Sequence, residues 1–267
     1  MPLEITMLNG EPLIFMHVPK TAGTTLTTFL DQQFDREQIC PHEVIHQAHL
    51  YTREQFQGYK LIRGHLNYDH IEGLLSPGRL ITVLREPIAR TISQYRFFRR
   101  EGEGLRKQYP GATATVDAAM SQSLEQFLRN PTPEVRHHID NMQTRQSAGY
   151  GFAFNPAAGD EAILSRAMEN LRRFDLVGLT EALPQTLELL CWLYAWYAPP
   201  QVEQLNQAPP QEDFKVTGAE YELLHELNRL DLRLYAAWRE RFWEQYNRHR
   251  CKPASSATSR ASTSVTA

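Results

Sequence analysis

Short unbroken runs of apolar residues alternate along this chain with longer stretches in which apolar positions recur every three or four residues. Runs of the first kind suit strands buried on both faces, and stretches of the second kind suit helices with one apolar stripe. Pro12-Leu-Ile-Phe-Met-His-Val18 is the first such run, ended by Pro19 and a turn of small residues, after which Leu26, Phe29, Leu30 and Phe34 fall at helical spacing. Lys60 to Arg63, Arg79 to Leu84 and Asp175 to Leu179 read as further strands. Helices are predicted where Ile88, Ile92, Tyr95 and Phe98 form a stripe, at 116–128, from about Val135, and at 162–174. Two more are predicted at 183–197 and, as one long helix, at 219–246. Glu101 to Thr115, rich in Gly and charge, is expected to be a mobile loop, and the prolines at 199, 200, 209 and 210 bracket another. Strand and helix in alternation predict an α/β fold: one domain with a P-loop-like, mostly parallel sheet and helices on both faces.

Composition narrows the class. The chain has 267 residues, 42% hydrophobic and 22% charged, a balance that excludes collagen-like, coiled-coil and wholly disordered proteins. The expected layout is an extension at 1–11, one domain at 12–250 and a disordered Ser/Thr/Ala-rich tail at 251–267. A net charge of −3 gives no general attraction for nucleic acid or anionic membrane, so anion binding must come from local clusters. Three distant cysteines, Cys40, Cys191 and Cys251, form no disulfide framework, and no apolar run is long enough to span a bilayer. A cytoplasmic protein is expected.

His17-Val-Pro-Lys-Thr-Ala-Gly-Thr-Thr25 carries the most chemical information. Between a buried strand and a helix, Lys20, Thr21, Ala22, Gly23, Thr24 and Thr25 place unpaired backbone N–H groups, two adjacent hydroxyls and a mobile positive charge around one point. That set suits a phosphate or sulfate. The order differs from the nucleoside triphosphatase loop, in which the lysine follows the last glycine. A second anion site is indicated by Arg85, at a strand end, with Ser93 about two helical turns on. Glu86, Pro87 and Arg90 would brace the turn between them. Arg96, Arg99, Arg100, Arg106 and Lys107 read as a solvated helix face.

The loop resembles the 5′-phosphosulfate loop of sulfotransferases that use 3′-phosphoadenosine 5′-phosphosulfate (PAPS), in particular the family of heparan sulfate 2-O- and 6-O-sulfotransferases and bacterial relatives. Arg-Glu-Pro at 85–87, Arg90, Ser93 and Tyr95 are similar to that family's 3′-phosphate motif. Gly64-His65, with an aromatic residue three positions after the histidine, is similar to the segment bearing its base. The resemblance also takes in Asn141-Met-Gln-Thr-Arg145, Asp175 to Glu181 and Asn228 to Tyr235. It implies PAPS as donor, no metal, Arg85 and Ser93 as ligands of the 3′-phosphate, and His65 as general base for a hydroxyl acceptor. Lys20 would bind the donor and offset charge on its leaving oxygen.

Among the other histidines, His17 reads as structural, and His137 and His138 are the alternative base candidates. His42, His46 and His49 lack metal-ligand spacing. Arg145 serves either the acceptor, the cofactor or the fold. Two other functions fit the same anion sites: a non-catalytic adenosine 3′,5′-bisphosphate-binding protein and a P-loop-like kinase. The acceptor is a small molecule or carbohydrate; neither its identity nor the oligomeric state follows from the sequence.

Overall fold

The computed structural model describes residues 11–42, 51–75, 77–108, 113–197 and 215–250. All but the last residue of the 1–11 extension, the 251–267 tail and the proline-bracketed loop at 199–210 lie outside them, as do His46 and His49.

Four parallel strands form one sheet: β1 (Leu13–Met16), β2 (Leu61–Gly64), β3 (Arg79–Leu84) and β4 (Leu176–Leu179), in the order β2-β1-β3-β4. Every residue of β1 and β4 is buried, which is why these strands are apolar without alternation. From β1 the chain passes through α1 (Gly23–Asp31) to β2 on one side, then through α2 (Tyr68–Leu74) to β3 on the other. The direction of winding therefore reverses at β1, and its carboxyl end and that of β3 flank a switch point, where open α/β sheets bind ligands. Met16 pairs with Gly64 and with Thr82, so β1 and β2 end level and β3 runs two residues further, to Leu84.

Between β3 and β4 come α3 (Pro87–Gln108), α4 (Thr113–Ser121), α5 (Leu124–Arg129), α6 (Pro133–Ile139), α7 (Met142–Ala148), α8 (Tyr150–Ala153) and α9 (Asp160–Leu171). After β4 follow α10 (Leu183–Tyr194), α11 (Gly218–Leu227) and α12 (Arg229–Arg250). One apolar cluster encloses the sheet; a second, including Phe98, Val116, Phe127, Val135 and Leu224, is built from helices alone.

Two expectations need correction. The segment 101–115 is mostly helical: α3 continues to Gln108 and α4 begins at Thr113. A Cβ on Gly102 would overlap the Met120 side chain, and Arg106 ties α3 to α4 by its ion pair to Asp117 while also pairing with Glu103 (3.0 Å) one turn back on α3. The long C-terminal helix is two helices, broken at buried Asn228, whose side chain bonds Leu224 O (2.8 Å) and accepts from Thr91 Oγ1 (3.0 Å).

That break creates a helix start that must be capped. Asn141 Oδ1 accepts from Leu230 N (2.7 Å) and Asp231 N (3.2 Å), while Asp231 accepts from Gln143 N (3.2 Å), Thr144 N (2.7 Å) and Thr144 Oγ1 (2.6 Å). The N-termini of α7 and α12 thus cap each other through buried side chains.

Candidate functional site

The turn after β1 is bent by two non-glycine residues in the left-handed region, Lys20 (φ 71°) and Ala22 (φ 63°). Strain of this kind is tolerated where a loop geometry is needed for binding. Ala22 precedes α1 and supplies no side-chain cap, and the first turn of α1 contains no acidic residue. The opening N–H groups of α1 are therefore not capped by Ala22, in a field that favours an anion.

The side chains of the turn divide into two sets. Thr21 is buried and its hydroxyl donates to Val18 O (2.7 Å), so that hydroxyl is committed to the turn itself. Thr24 is exposed, whereas Thr25 is buried. Gly23 does not owe its missing side chain to an anion: the space a Cβ would occupy is filled by the His17 imidazole.

Arg85 leaves the end of β3 and its Nη1 donates to Lys20 O (3.1 Å). The two anion motifs, 65 residues apart in sequence, thus meet at the switch point. Lys20 Nζ lies 3.9 Å from the centroid of the Phe97 ring on α3. Burial, followed by the charges of Arg100 and Arg85, lowers the Lys20 pKa to about 8 against the opposing pull of Glu101; Arg90 adds to the lowering. Burial also lowers that of Arg85. Among the described residues neither cation is within salt-bridge distance of a carboxylate. Half-buried positive charges without a partner are costly, and an anion between them would relieve that cost. The residues present therefore fit a doubly anionic donor.

Of the three residues expected to brace this turn, Glu86 does so, and Arg90 instead ties α3 to α6. Glu86 accepts from Ile88 N (3.1 Å) and Ala89 N (2.7 Å), capping α3. Arg90 is fully buried and donates to His138 O (2.6 Å). Half-buried Ser93 lies further along α3. Arg99 donates to Ala119 O and Gln122 O, and Arg100 pairs with Glu101, so this basic face is engaged in local contacts.

His65 follows the last residue of β2. Its Nδ1 is 3.2 Å from His17 O; since a carbonyl only accepts, Nδ1 is a protonated nitrogen. The two imidazole rings stack at 4.4 Å, 27° from parallel. Beside His65 opens a cavity of about 250 Å³ lined by His65, Asn67, Asp69, His70, His137 and Tyr150. His137, an alternative base by sequence, stands in its wall in edge contact with Tyr150 (4.7 Å).

Two residues that sequence reasoning passed over hold this site together. Gln143 accepts from Arg85 N (3.0 Å) and donates to Arg85 O (2.9 Å). Gln146 donates to His17 O (3.0 Å) and Leu66 O (2.5 Å), joining the ends of β1 and β2. Both lie on α7, in the Asn-x-Gln-Thr-Arg stretch, where only Arg145 had drawn a role. Arg145 itself is structural: it donates to Asp140 O (3.0 Å) and Ala153 O (2.6 Å). Among the described residues no group of three His, Cys, Asp or Glu side chains is placed to hold a metal ion.

The model of the galactose-3-O-sulfotransferase family matches residues 9–258. The chain belongs to that family. It is a sulfotransferase, and its acceptor carries a hydroxyl. Sulfuryl transfer thus prevails over the kinase and silent-binder readings of the same loop. The expected membership of a sulfotransferase family holds; the particular resemblance to the heparan sulfate 2-O- and 6-O-sulfotransferases does not extend to the matched family. No curated protein sequence matches this sulfotransferase. A crystal structure of a sulfotransferase from Alicyclobacillus acidocaldarius is similar to it at 15% identity and a TM-score of 0.47, over 85% of this chain and 98% of that one. Among the described residues no helix is long and apolar enough to cross a membrane.

Proposed function

We propose that this sulfotransferase takes its sulfuryl group from PAPS and delivers it to a sugar hydroxyl, a galactoside being the acceptor that the family name indicates. The observation that carries this reading is the bond from Arg85 Nη1 to Lys20 O, which makes one anion-binding surface from two motifs. The turn Lys20 to Thr25 holds the phosphosulfate end, through the first N–H groups of α1, the hydroxyls of Thr24 and Thr25 and the ammonium of Lys20. Arg85 and Ser93 hold the 3′-phosphate. PAPS supplies an activated sulfuryl group on a phosphate leaving group.

In the cavity beside it, His65 Nε2 accepts the acceptor's hydroxyl proton. The acceptor oxygen forms its bond to sulfur as the sulfur–phosphate oxygen bond breaks, leaving adenosine 3′,5′-bisphosphate. Lys20 offsets charge on the departing oxygen, the role for which a preorganised cation is most effective. Asn67, Asp69, His70, His137 and Tyr150 supply polar and aromatic surfaces against which a pyranose ring can rest.

The test is sulfation of a panel of galactosides and other alcohols with PAPS, read by mass spectrometry, alongside two variants. His65→Ala should keep bisphosphate affinity and lose turnover by about 10²–10⁴-fold. Arg85→Ala should weaken bisphosphate binding. Unchanged turnover in the first variant removes His65 from the chemistry, and an unchanged dissociation constant in the second removes Arg85 from the donor site.

A further inference from the structure

His17 occupies a position where the strand pattern calls only for an apolar residue, yet its ring touches both halves of the site. It is half-buried, and Phe15, two residues back on β1, stacks on it at a centroid distance of 5.4 Å. The His65 ring, on the neighbouring strand end, also stacks on it at 4.4 Å. Toward α1, the imidazole fills the space above Gly23, the first residue of that helix. Its backbone is equally committed: His17 N donates to Gly64 O (2.9 Å), and His17 O faces both His65 Nδ1 and Gln146 Nε2. No side-chain hydrogen bond anchors the His17 ring among the described residues, so packing alone sets its place. Burial, then the proximity of His65 and Lys20, keeps it neutral.

We propose that His17 is a positioning residue for sulfuryl transfer, its imidazole being the spacer that sets the separation between the donor loop at the start of α1 and the ring of His65. The proposal rests on His65 being the base. The His17 ring packs on both Phe15 and His65, and without it His65 loses its stacked neighbour. The Nδ1 bond to the His17 carbonyl survives, because it needs only backbone. His65 therefore keeps its tautomer and loses its lateral support. Misplacement of a reacting group by about 1 Å can cost about a hundredfold in rate without touching the binding of the other substrate.

Gly23 offers a test from the opposite side. Alanine suits a first helical turn, and the nearest atoms that the added methyl of Gly23→Ala would meet all belong to the His17 ring. The methyl would displace that ring from its place against His65; with His17 already truncated, those atoms are gone.

The experiment is a double-mutant cycle of His17→Ala, Gly23→Ala and the pair, with His65→Ala as reference. Steady-state kcat, KM for PAPS, bisphosphate affinity by calorimetry and the thermal midpoint are read for each. The expected result for His17→Ala is a fall in kcat of about 10–100-fold, with KM for PAPS and bisphosphate affinity within about threefold of wild type. Gly23→Ala should also lose turnover, and the pair should be no worse than His17→Ala alone, the signature of a shared contact. A kcat for His17→Ala within twofold of wild type would overturn the proposal. So would losses in the pair that multiply, or a fall in affinity and thermal midpoint that parallels kcat, which marks a purely structural residue. If His65→Ala retains turnover, the base assignment itself fails, whatever the cycle shows; if it is inactive while His17→Ala is not, only the spacer role fails.

Discussion

Lys20 makes donor binding depend on pH in a direction that can be worked out. In the free protein its pKa is about 8, lowered by burial and by the charges of Arg100 and Arg85. Two phosphate groups would restore it toward the ordinary lysine value near 10.4. Above pH 8 the free protein has therefore lost a proton that the complex retains, and binding must recover it from solution. Affinity falls as pH rises, by a factor approaching ten per unit. From about pH 7.5 to about pH 9.5 the dissociation constant for adenosine 3′,5′-bisphosphate should rise roughly 25-fold. Arginine does not titrate in this range, so Arg85 contributes no slope. Calorimetry across that interval, repeated in buffers of different ionisation enthalpy, measures both the slope and the proton uptake. Lys20→Met should bind weakly and without pH dependence. A change of less than about threefold in the wild type, or an equal slope in Lys20→Met, would refute the placement of this ammonium in the donor site.

Three further outcomes follow from the supporting structure. Gln143→Leu leaves the N–H and C=O of Arg85 without their partners, and should weaken bisphosphate binding by about tenfold with a stability loss of about 1–3 kcal/mol, measured by calorimetry and urea unfolding. Asp231→Ala uncaps α7 and removes the buried carboxylate near Arg90; it should cost about 3–5 kcal/mol and lower the thermal midpoint by roughly 10 °C, with Asp231→Asn losing less. Gly149→Ala forces a side chain into the left-handed region (φ 90°) and against the Asp69 carboxylate, so scanning calorimetry should show a loss of about 1–3 kcal/mol.

Much of the fold could be read from the chain because its causes are local. A strand buried on both faces must be apolar throughout, and 13–16 and 176–179 announce themselves for that reason, while 61–64 and 79–84 do so by their apolar pairs and runs. Anion binding at a helix start needs small residues and a cation within a few positions, so the turn at 20–25 was legible, as was the cation at the end of β3. Glycine misled at 101–115, since composition cannot tell a flexible glycine from a close-packed one: Gly102 lies against Met120 inside a helix. The helix break at Asn228 was hidden because the residues that stabilise it, Thr91 and Asn141, are distant in sequence.

Local pattern, then, determined which segments are strands and helices and which short motifs could hold an anion. Tertiary structure alone decided that those motifs share one site. The strand order sets the ends of β1, β2 and β3 side by side, and α7 supplies Gln143 to Arg85 and Gln146 to the His17 carbonyl. Contacts between residues separated by 48 to 129 positions follow no periodicity, because strand pairing and helix docking set them rather than any single segment.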